Sequence, residues 1–269
     1  MPTLTAFSCG IEDTHGQTIT YIFGKALKKL PPKKGFKSYI YNYKRVNMSH
    51  LTKIKSIENL THDVLRVVLD KPAGITYIPG QAADIALNKL GWSDKENCFT
   101  FTSLPEDDEV EFTIKTYPDH HGMTNELLSA QPGDEVLIYD SFGDIYFKGP
   151  GMFIAGGAGV TPFIAMIKDL EKQNRLNGNK LIFANKGKAD IILEDYFKSV
   201  LDGNFINILS NEDLDGYEHG YISPEIIKKY DEDDLNYYYL CGPPPMMEAI
   251  EGHLHALGIA SEFIVKESF

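Results

Sequence analysis

The spacing of hydrophobic and polar positions changes near the middle of this chain. From Leu51 to Lys148 the apolar residues come in short runs, several of which alternate with polar residues as in half-buried strands. The clearest predicted strands cover 63–69, 110–115 and 135–139, and a helix is predicted near 124–130. Many short strands with a single helix predict a small antiparallel β-barrel of the Greek-key kind over residues 48–148.

From residue 149 onward, strand-like runs alternate with longer segments of helical periodicity. Strands are predicted over 152–155, 181–185, 205–210, 237–241 and 263–266, and helices over 161–175, 190–201, 223–230 and 245–257. This alternation is typical of a doubly wound α/β domain, here with a five-stranded parallel sheet over residues 149–269. Such sheets bind ligands at the carboxyl ends of their strands, where the strand order reverses.

The composition is that of an ordinary globular protein, with 43% hydrophobic and 24% charged residues. No apolar run reaches the roughly 18 residues of a membrane span, and the N-terminus lacks the apolar stretch of a secretory signal, so a cytoplasmic protein is expected. The three cysteines, Cys9, Cys98 and Cys241, are too few for a disulfide framework or a four-cysteine iron–sulfur site within this chain.

Charge is unevenly distributed along the chain. The whole chain carries a net charge of −12 and residues 1–47 carry +6, so residues 48–269 carry −18. This acidity argues against a nucleic-acid partner. The basic segment 1–47 has no clear periodicity and is predicted to be a weakly ordered extension. A targeting or docking arm is the alternative, and Met48 is an alternative start of the functional protein.

A glycine-rich segment joins the first predicted strand of the α/β domain to its first helix. It reads Gly156-Gly157-Ala158-Gly159-Val160-Thr161-Pro162. Glycines let a backbone turn sharply and approach a phosphate closely, while Thr161 suits a helix cap and Pro162 the first helical turn. The free N–H groups at the start of a helix then favour a pyrophosphate. The segment predicts a nucleotide-binding loop, although Pro162 replaces the last glycine of the usual dinucleotide fingerprint.

Six motifs together resemble the ferredoxin-NADP reductase superfamily, over about residues 51–269. In chain order they are Tyr77-Ile78-Pro79-Gly80-Gln81, Asn97-Cys98-Phe99-Thr100, Gly122-Met123-Thr124, the glycine-rich loop, Cys241-Gly242-Pro243-Pro244-Pro245-Met246-Met247 and Glu267-Ser268-Phe269. Each motif alone is modest, but their order matches the two predicted domains. The resemblance implies a flavin-binding barrel followed by a nicotinamide-nucleotide-binding domain.

The resemblance assigns a flavin site to the barrel. It implies that Phe99 and Thr100 line the isoalloxazine, with the Thr100 hydroxyl near flavin N5, where hydride arrives. It implies that Gly122, Met123 and Thr124 bind the flavin pyrophosphate, and Tyr117 is included in this site. Asn97 stands where the family has an arginine that holds the flavin phosphate. We therefore hypothesise that Lys115 supplies the missing charge, because alternation places Glu111, Thr113 and Lys115 on one polar face.

The resemblance also assigns the nicotinamide end of the site. Cys241 is implied to lie beside nicotinamide C4 and to help position it, with Gly242, Pro243 and Met246 as neighbours. A small buried apolar residue is the alternative for Cys241. Glu267 is implied to take part in the site, and Phe269 to stack on the flavin and step aside for nicotinamide. A frayed C-terminus is the alternative for Phe269.

The choice of coenzyme is predicted from the end of the third parallel strand. The family often has an arginine after a serine there, whereas this chain reads Ser210-Asn211-Glu212-Asp213. Two carboxylates would repel the 2′-phosphate of NADPH, which favours NADH slightly. Lys186 and Lys188 are nonetheless close enough in the chain to be alternative phosphate ligands.

Taken with the resemblance, these observations predict an enzyme of the ferredoxin or flavodoxin reductase type. It would bind FAD, take a hydride from NADH or NADPH, and pass single electrons to a ferredoxin, flavodoxin or similar acceptor. The alternatives are an electron-transfer subunit of a larger dehydrogenase and a non-catalytic flavin or nucleotide sensor. No metal site is predicted, since His120-His121 has no evident third ligand.

Overall fold

The computed structural model describes residues 9–12, 18–21, 49–117, 119–231 and 236–267. The chain divides into two compact units, residues 1–47 and 48–269. In the first unit the structure describes the backbone of two antiparallel strands, β1 (Cys9–Glu12) and β2 (Thr18–Tyr21). The rest of the predicted basic extension lies outside the described residues.

The second unit begins with an antiparallel barrel. Its strands are β3 (His50–Thr61), β4 (Val64–Asp70), β5 (Ala82–Leu87), β6 (Asn97–Thr100), β7 (Glu109–Lys115) and β8 (Glu135–Phe142). They pair antiparallel in the order β6-β5-β8-β3-β4-β7. Phe101, directly after β6, makes an antiparallel bridge with Phe112 of β7, which brings the two edge strands together. The predicted antiparallel barrel is confirmed.

Alternating side chains of the barrel strands form its core. Phe101 and Phe112 are fully buried there, and Phe101 stacks on Tyr77 with the ring centroids 3.9 Å apart. The predicted helix near 124–130 is present as α1 (Met123–Glu126), which continues as a 3₁₀ turn over Leu127–Ser129. Met123 and Leu127 are buried against the barrel core, so this short helix closes one end of it.

A parallel α/β domain follows the barrel. Its strands are β9 (Gly151–Gly156), β10 (Lys180–Asn185), β11 (Phe205–Leu209), β12 (Glu218–His219), β13 (Tyr237–Cys241) and β14 (Ile264–Val265). The helices are α2 (Thr161–Lys172), α3 (Glu194–Leu201), α4 (Pro224–Tyr230) and α5 (Pro244–Ala256). All strand pairs are parallel, in the order β12-β11-β10-β9-β13-β14. The doubly wound fold is confirmed with six strands rather than five.

The additional strand, β12, could not be predicted from the sequence. β12 is only two residues long and pairs through Ile208 and Leu209 of β11. A two-residue strand has no periodicity that a sequence pattern could reveal. Among the described residues, every helix is too short or too polar to cross a lipid bilayer.

The order in which successive strands are added to this sheet reverses at β9. β10 and β11 lie on one side of β9, whereas β13 lies on the other, with Cys241 in register with Ala155. The carboxyl ends of β9 and β13 are therefore adjacent where the connections diverge. This is the edge at which an open α/β sheet binds its ligands.

The barrel and the α/β domain share part of one hydrophobic core. Val64 and Ile145 of the barrel segment are buried in the same cluster as residues of α2 and β10. The hydroxyl of Tyr239, on β13, accepts hydrogen bonds from the backbone N–H groups of Lys148 and Gly149 and donates to Gly149 O, at 2.9, 3.0 and 2.7 Å. The connection between the two domains is thus held against the parallel sheet.

Candidate active site

A cleft of about 410 Å³ lies where the barrel meets the glycine-rich loop. Its lining consists of Asn97, Cys98, Phe99, Thr100, Thr113, Lys115, Tyr117, His120, Gly122, Met123, Thr124, Ala158 and Thr161. All eight predicted flavin residues are in this set, together with two from the predicted nucleotide loop. Segments separated by up to 64 positions in the chain, from Asn97 to Thr161, thus share one cavity.

The glycine-rich loop leaves β9 and forms a 3₁₀ turn over Gly157–Val160 that runs directly into α2. Gly157 has a φ of +52° and nothing within 4 Å of an added Cβ, so its backbone faces open space. A left-handed φ is costly for residues with a Cβ. Gly157 therefore provides the open approach that a phosphate requires.

Two other glycines of the loop are required by packing. A Cβ on Gly156 would lie 2.3 Å from the Met246 sulfur, and one on Gly159 would lie 2.3 Å from Cys241 O and 2.6 Å from Gly242 N. The loop therefore lies directly against the turn that follows β13. The predicted motifs 156–162 and 241–247 meet at the carboxyl edge of the sheet.

Thr161 is not the helix cap that the sequence predicts. It is the first residue of α2, Val160 occupies the cap position, and the Thr161 hydroxyl donates to Ala158 O at 3.0 Å. Pro162 lies in the first turn, as predicted. The tight 3₁₀ turn brings the chain into the helix one residue early, so the Thr161 hydroxyl stabilises the loop instead of an exposed N–H group.

The charge on the barrel side of the cleft comes from Lys115. Its ammonium donates to Asp63 Oδ2 at 2.5 Å while the side chain lines the cleft with Asn97. Burial acts to raise the pKa of the Asp63 carboxyl, but the hydrogen bond and charge of Lys115 hold it below its ordinary value. Lys115 therefore lines the cleft beside Asn97 while its ammonium is bound by the carboxylate of Asp63.

The predicted polar face of β7 is divided between two cavities. Thr113 and Lys115 line the cleft with the predicted flavin residues. Glu111 faces a neighbouring cleft, where it meets Arg66 and Lys168. Glu111 and Thr113 both contact the Thr102 hydroxyl, so this polar face extends from the cleft to the ionic cluster of Glu111.

An aromatic pair lies at the end of the cleft near α1. The rings of Tyr117 and His120 are stacked, with centroids 5.3 Å apart. Gly122 O accepts hydrogen bonds from the N–H groups of Asn125 and Glu126, so the turn before α1 is well ordered by its own backbone. The structure therefore pairs His120 with an aromatic ring at the edge of the cavity.

Cys241, Cys98 and Glu267 form a group at the nicotinamide end of the predicted site. Burial raises the pKa of the Cys241 thiol to about 12, and the charges of Glu267 and Cys98 act in the same direction. Glu267 Oε2 accepts the N–H of Asp144 at 3.1 Å, next to Gly143. Cys241 is thus neutral at physiological pH. Phe269, the predicted gate, lies outside the described residues.

The predicted adenosine end of the nucleotide site lies at the carboxyl ends of β10 and β11. Glu212 Oε2 accepts the backbone N–H of Lys188 at 2.9 Å, which fixes the carboxylate at this edge. The Lys188 ammonium lies 5.6 Å from the Tyr217 ring centroid. Ser210 donates from its backbone N–H to Asn185 O at 3.0 Å. Glu212 is therefore held at this edge, next to the backbone of Lys188.

His62, Asp63 and Asp190 bring their ligand atoms within 4.8 Å of one another. Asp63 already accepts from Lys115, and Asp190 Oδ2 accepts the N–H of Gly187 at 2.9 Å. These carboxylates are satisfied by protein donors, and we assign no metal to them.

Sequence analysis missed three residues that line the cleft. Cys98 lies inside a quoted motif, and Thr113 was placed only on the polar face of Lys115. Alternation on β7 could have identified Thr113, since it is two residues from Lys115. His120 has no such signal, because only the stacking on Tyr117 reveals its position.

The chain is similar to known proteins in sequence and in fold. Residues 153–252 match the model of the oxidoreductase NAD-binding domain. The toluate 1,2-dioxygenase electron transfer component of Pseudomonas putida is 28% identical over 204 residues, 72% of this chain and 59% of that protein. NADH-cytochrome b5 reductase 2 of Mycosarcoma maydis is 30% identical over 224 residues, 74% of this chain and 63% of that protein. The chain thus spans about three fifths of each of these relatives.

Solved structures show the same fold. A ferredoxin NADP⁺ reductase from Neisseria gonorrhoeae, with bound FAD and NADP, has a TM-score of 0.72 and 17% identity, over 82% of this chain and 98% of that one. The FAD/NAD-binding domain of a nitric oxide dioxygenase from Vibrio cholerae has a TM-score of 0.69 and 21% identity, over 82% and 98%. The chain therefore has the two-domain fold of the ferredoxin-NADP reductase-like proteins, residues 153–252 match the oxidoreductase NAD-binding domain, and the resemblance predicted from its motifs is confirmed.

Proposed function

We propose that this protein is a flavin-dependent reductase. It would bind FAD, transfer a hydride from NADH to the FAD, and pass single electrons to a protein acceptor. One observation carries the proposal. Thr100, Ala158 and Thr161 line one cleft, so the predicted flavin strand and the predicted nucleotide loop face a common space. Hydride transfer requires its two reactants to be held at near-contact distance, and a shared cleft supports that arrangement.

The residues of the cleft fit the two cofactors. Lys115 offers a cation, Thr100 a hydroxyl and Tyr117 an aromatic face, which suit the phosphate, the ring nitrogen and the adenine of FAD. Gly157 leaves an open backbone approach at the start of α2 for a pyrophosphate. When bound, FAD would supply the conversion of a two-electron donor into single electrons.

The nicotinamide subsite is proposed at the carboxyl ends of β9 and β13. The neutral Cys241 thiol offers a small polarizable surface there, against which a nicotinamide ring can pack. Glu267, held by the N–H of Asp144, adds a fixed negative charge on the same side. Such a charge favours the cationic nicotinamide product.

NADH is the proposed coenzyme. Glu212 is fixed at the edge where the adenosine would lie, and its carboxylate would repel a 2′-phosphate while accepting a ribose hydroxyl. The name NADH-cytochrome b5 reductase of one relative is consistent with this choice.

The acceptor is proposed to be a separate redox protein. One relative is named as an electron transfer component of a dioxygenase, and another as a reductase component of propane 2-monooxygenase. These names favour a protein component of an oxygenase system over flavodoxin. The net charge of −18 on residues 48–269 disfavours a strongly acidic ferredoxin unless docking uses a local basic patch.

An anaerobic titration of the purified protein tests the proposal. Bound flavin should give the yellow oxidised spectrum and bleach on addition of NADH, with NADPH much less effective. Protein that binds no FAD, or whose flavin stays oxidised with both coenzymes, would contradict the proposal and favour a non-catalytic sensor. If the oxidised spectrum returns when a one-electron acceptor is added, the reduced flavin has passed its electrons on, which is the second step of the proposed reaction.

Replacing Lys115 by alanine is expected to weaken FAD binding about tenfold, because one charge-assisted hydrogen bond to a phosphate is lost. Asp63→Asn is the matched variant. It removes the carboxylate that competes for the Lys115 ammonium, so FAD affinity should stay the same or rise. Titration of the flavin-free protein with FAD, followed by flavin fluorescence, measures both constants. Unchanged affinity in Lys115→Ala would remove Lys115 from the flavin site.

Replacing Glu212 by glutamine is expected to raise the ratio of kcat/KM for NADPH to that for NADH about fivefold, since one repulsive charge near the 2′-phosphate is removed. Asp213→Asn removes a neighbouring exposed charge and serves as the control. Steady-state kinetics with both coenzymes give the ratio. An equal change in both variants would indicate a general charge effect instead of a contact at Glu212.

A further inference from the structure

A buried carboxylate lies between the barrel and the α/β domain. Glu111, on β7, has a side chain that is 9% exposed and lines a cleft of about 730 Å³ beside the predicted flavin cleft. Its Oε2 accepts the Arg66 Nε at 2.7 Å, and its Oε1 accepts the Thr102 hydroxyl at 2.9 Å. A carboxylate so far removed from water needs such partners to remain ionised.

The remaining partner of the Glu111 carboxylate belongs to the α/β domain. Lys168, on α2, donates to Glu111 Oε1 at 3.1 Å and to the backbone carbonyl of Thr102 at 2.7 Å. Although burial acts to raise the pKa of the Glu111 carboxyl, Lys168 and Arg66 hold it below its ordinary value. Glu111 is therefore an anion at neutral pH, and Lys168 is bound to two groups of the barrel at once.

The contacts of Lys168 join the two halves of the proposed active site, the flavin strand and the helix after the glycine-rich loop. Thr102 is two residues after Thr100, which lines the flavin cleft. Lys168 is seven residues, or two helical turns, after Thr161, which begins α2 and lines the same cleft. One side chain therefore links the strand that is proposed to face the flavin to the helix that is proposed to receive the nucleotide.

A second ion pair from α2 provides a contrast. Lys172, one turn further along, contacts Glu106 of the barrel at 2.6 Å, but the two side chains are 55% and 47% exposed. Exposed pairs are weak because water screens them, whereas breaking a buried pair leaves an uncompensated charge. Of these two bridges from α2, the one through Lys168 can impose a fixed geometry.

We propose that Lys168 is a positioning residue for hydride transfer, which holds α2 and its glycine-rich loop at a set distance from the flavin strand. The inference rests on the proposed function. Lys168 does not line the cofactor cleft, so its loss should leave the binding groups in place and change the separation of the two cofactors. Hydride transfer is sensitive to small displacements of that kind, while binding is much less so.

Lys168→Met tests this inference, with Lys172→Met as the matched control. Anaerobic stopped-flow reduction at saturating NADH should be about tenfold slower in Lys168→Met, with the dissociation constants of FAD and NADH within about twofold of wild type. Lys172→Met should reduce at the wild-type rate. Lys168→Arg, which keeps the charge and has enough N–H donors for both acceptors, should recover most of the rate.

A measurement on the flavin-free protein provides an independent readout. Hydrogen–deuterium exchange should be faster at the start of α2 and along β7 in Lys168→Met and unchanged there in Lys172→Met. If Lys168→Met does not fold, Glu111→Gln combined with Lys168→Met removes both charges of this ion pair and leaves Arg66 paired with Glu58, at 2.6 Å.

The possible results separate this inference from the proposed function. Wild-type flavin that neither NADH nor NADPH reduces would overturn the proposed function. In a competent enzyme, a wild-type rate in Lys168→Met would overturn the positioning role alone. A slower rate accompanied by an equal loss of FAD or NADH affinity would also overturn it, because that pattern reflects damage to the binding site.

Discussion

Replacing Gly159 by alanine is expected to slow the reduction of bound flavin by NADH at least about 100-fold, because a displacement of about 1 Å in an active site can have an effect of that size. The added Cβ would lie 2.3 Å from Cys241 O and 2.5 Å from Cys241 C. These are backbone atoms at the end of a central strand, so the loop must move away from β13.

Displacement of the loop should weaken both proposed functions of this region, binding of the pyrophosphate and binding of the nicotinamide. The loop is proposed to hold the pyrophosphate and Cys241 to face the nicotinamide, so moving one from the other separates the two ends of a single ligand. We expect a weaker dissociation constant for NADH together with a lower limiting rate. FAD affinity should change little, since in the proposed site most of its binding groups lie on the barrel.

Gly252→Ala is the control for this experiment. Gly252 lies inside α5 and has nothing within 4 Å of an added Cβ, so alanine should be neutral or slightly stabilising there. Stopped-flow reduction at several NADH concentrations separates affinity from rate. A Gly159→Ala enzyme with wild-type kinetics would show that the loop does not hold the coenzyme.

Replacing Thr100 by valine is expected to lower the limiting rate of flavin reduction about 100-fold, the typical effect of removing one hydrogen bond from a reacting centre. Valine has nearly the shape of threonine, so the cleft should keep its form while the hydroxyl proposed to face flavin N5 is lost. NADH affinity should change little, because the contact is assigned to the flavin.

Thr113→Val is the matched control for Thr100→Val. Thr113 lines the same cleft, but its hydroxyl donates to the Thr102 hydroxyl at 3.3 Å and so already has a protein partner. Its replacement should affect stability more than rate. Equal losses of rate in the two variants would mean that the cleft responds to any lost hydroxyl, which would contradict a specific role for Thr100.

The fold was largely predictable because local periodicity reports burial. Strands of the parallel sheet are buried on both faces and read as continuous apolar runs, so β9, β10, β11 and β13 were located within a residue or so. The antiparallel β7 alternates and was found in the same way. Two-residue edge strands such as β12 are too short to show either pattern.

The site was predictable only as far as its motifs extend. The glycine-rich loop and the strand ending at Thr100 each have a local signature, and the cleft brings them together. The pairings that complete the site have none, because Lys115 meets Asp63 over 52 positions and Lys168 meets Glu111 over 57. Nothing near either lysine specifies its partner, which the topology of the sheets decides.

The position of Tyr239 has a consequence for building chimeric reductases. Its hydroxyl holds the backbone of Lys148 and Gly149, so the junction between the two domains is hydrogen-bonded to a side chain of the parallel sheet. Exchanging one domain for that of another protein by cutting at Gly149 would separate this junction from the tyrosine that fixes it. The natural unit of exchange is therefore the α/β domain together with its preceding junction, inherited from a single parent.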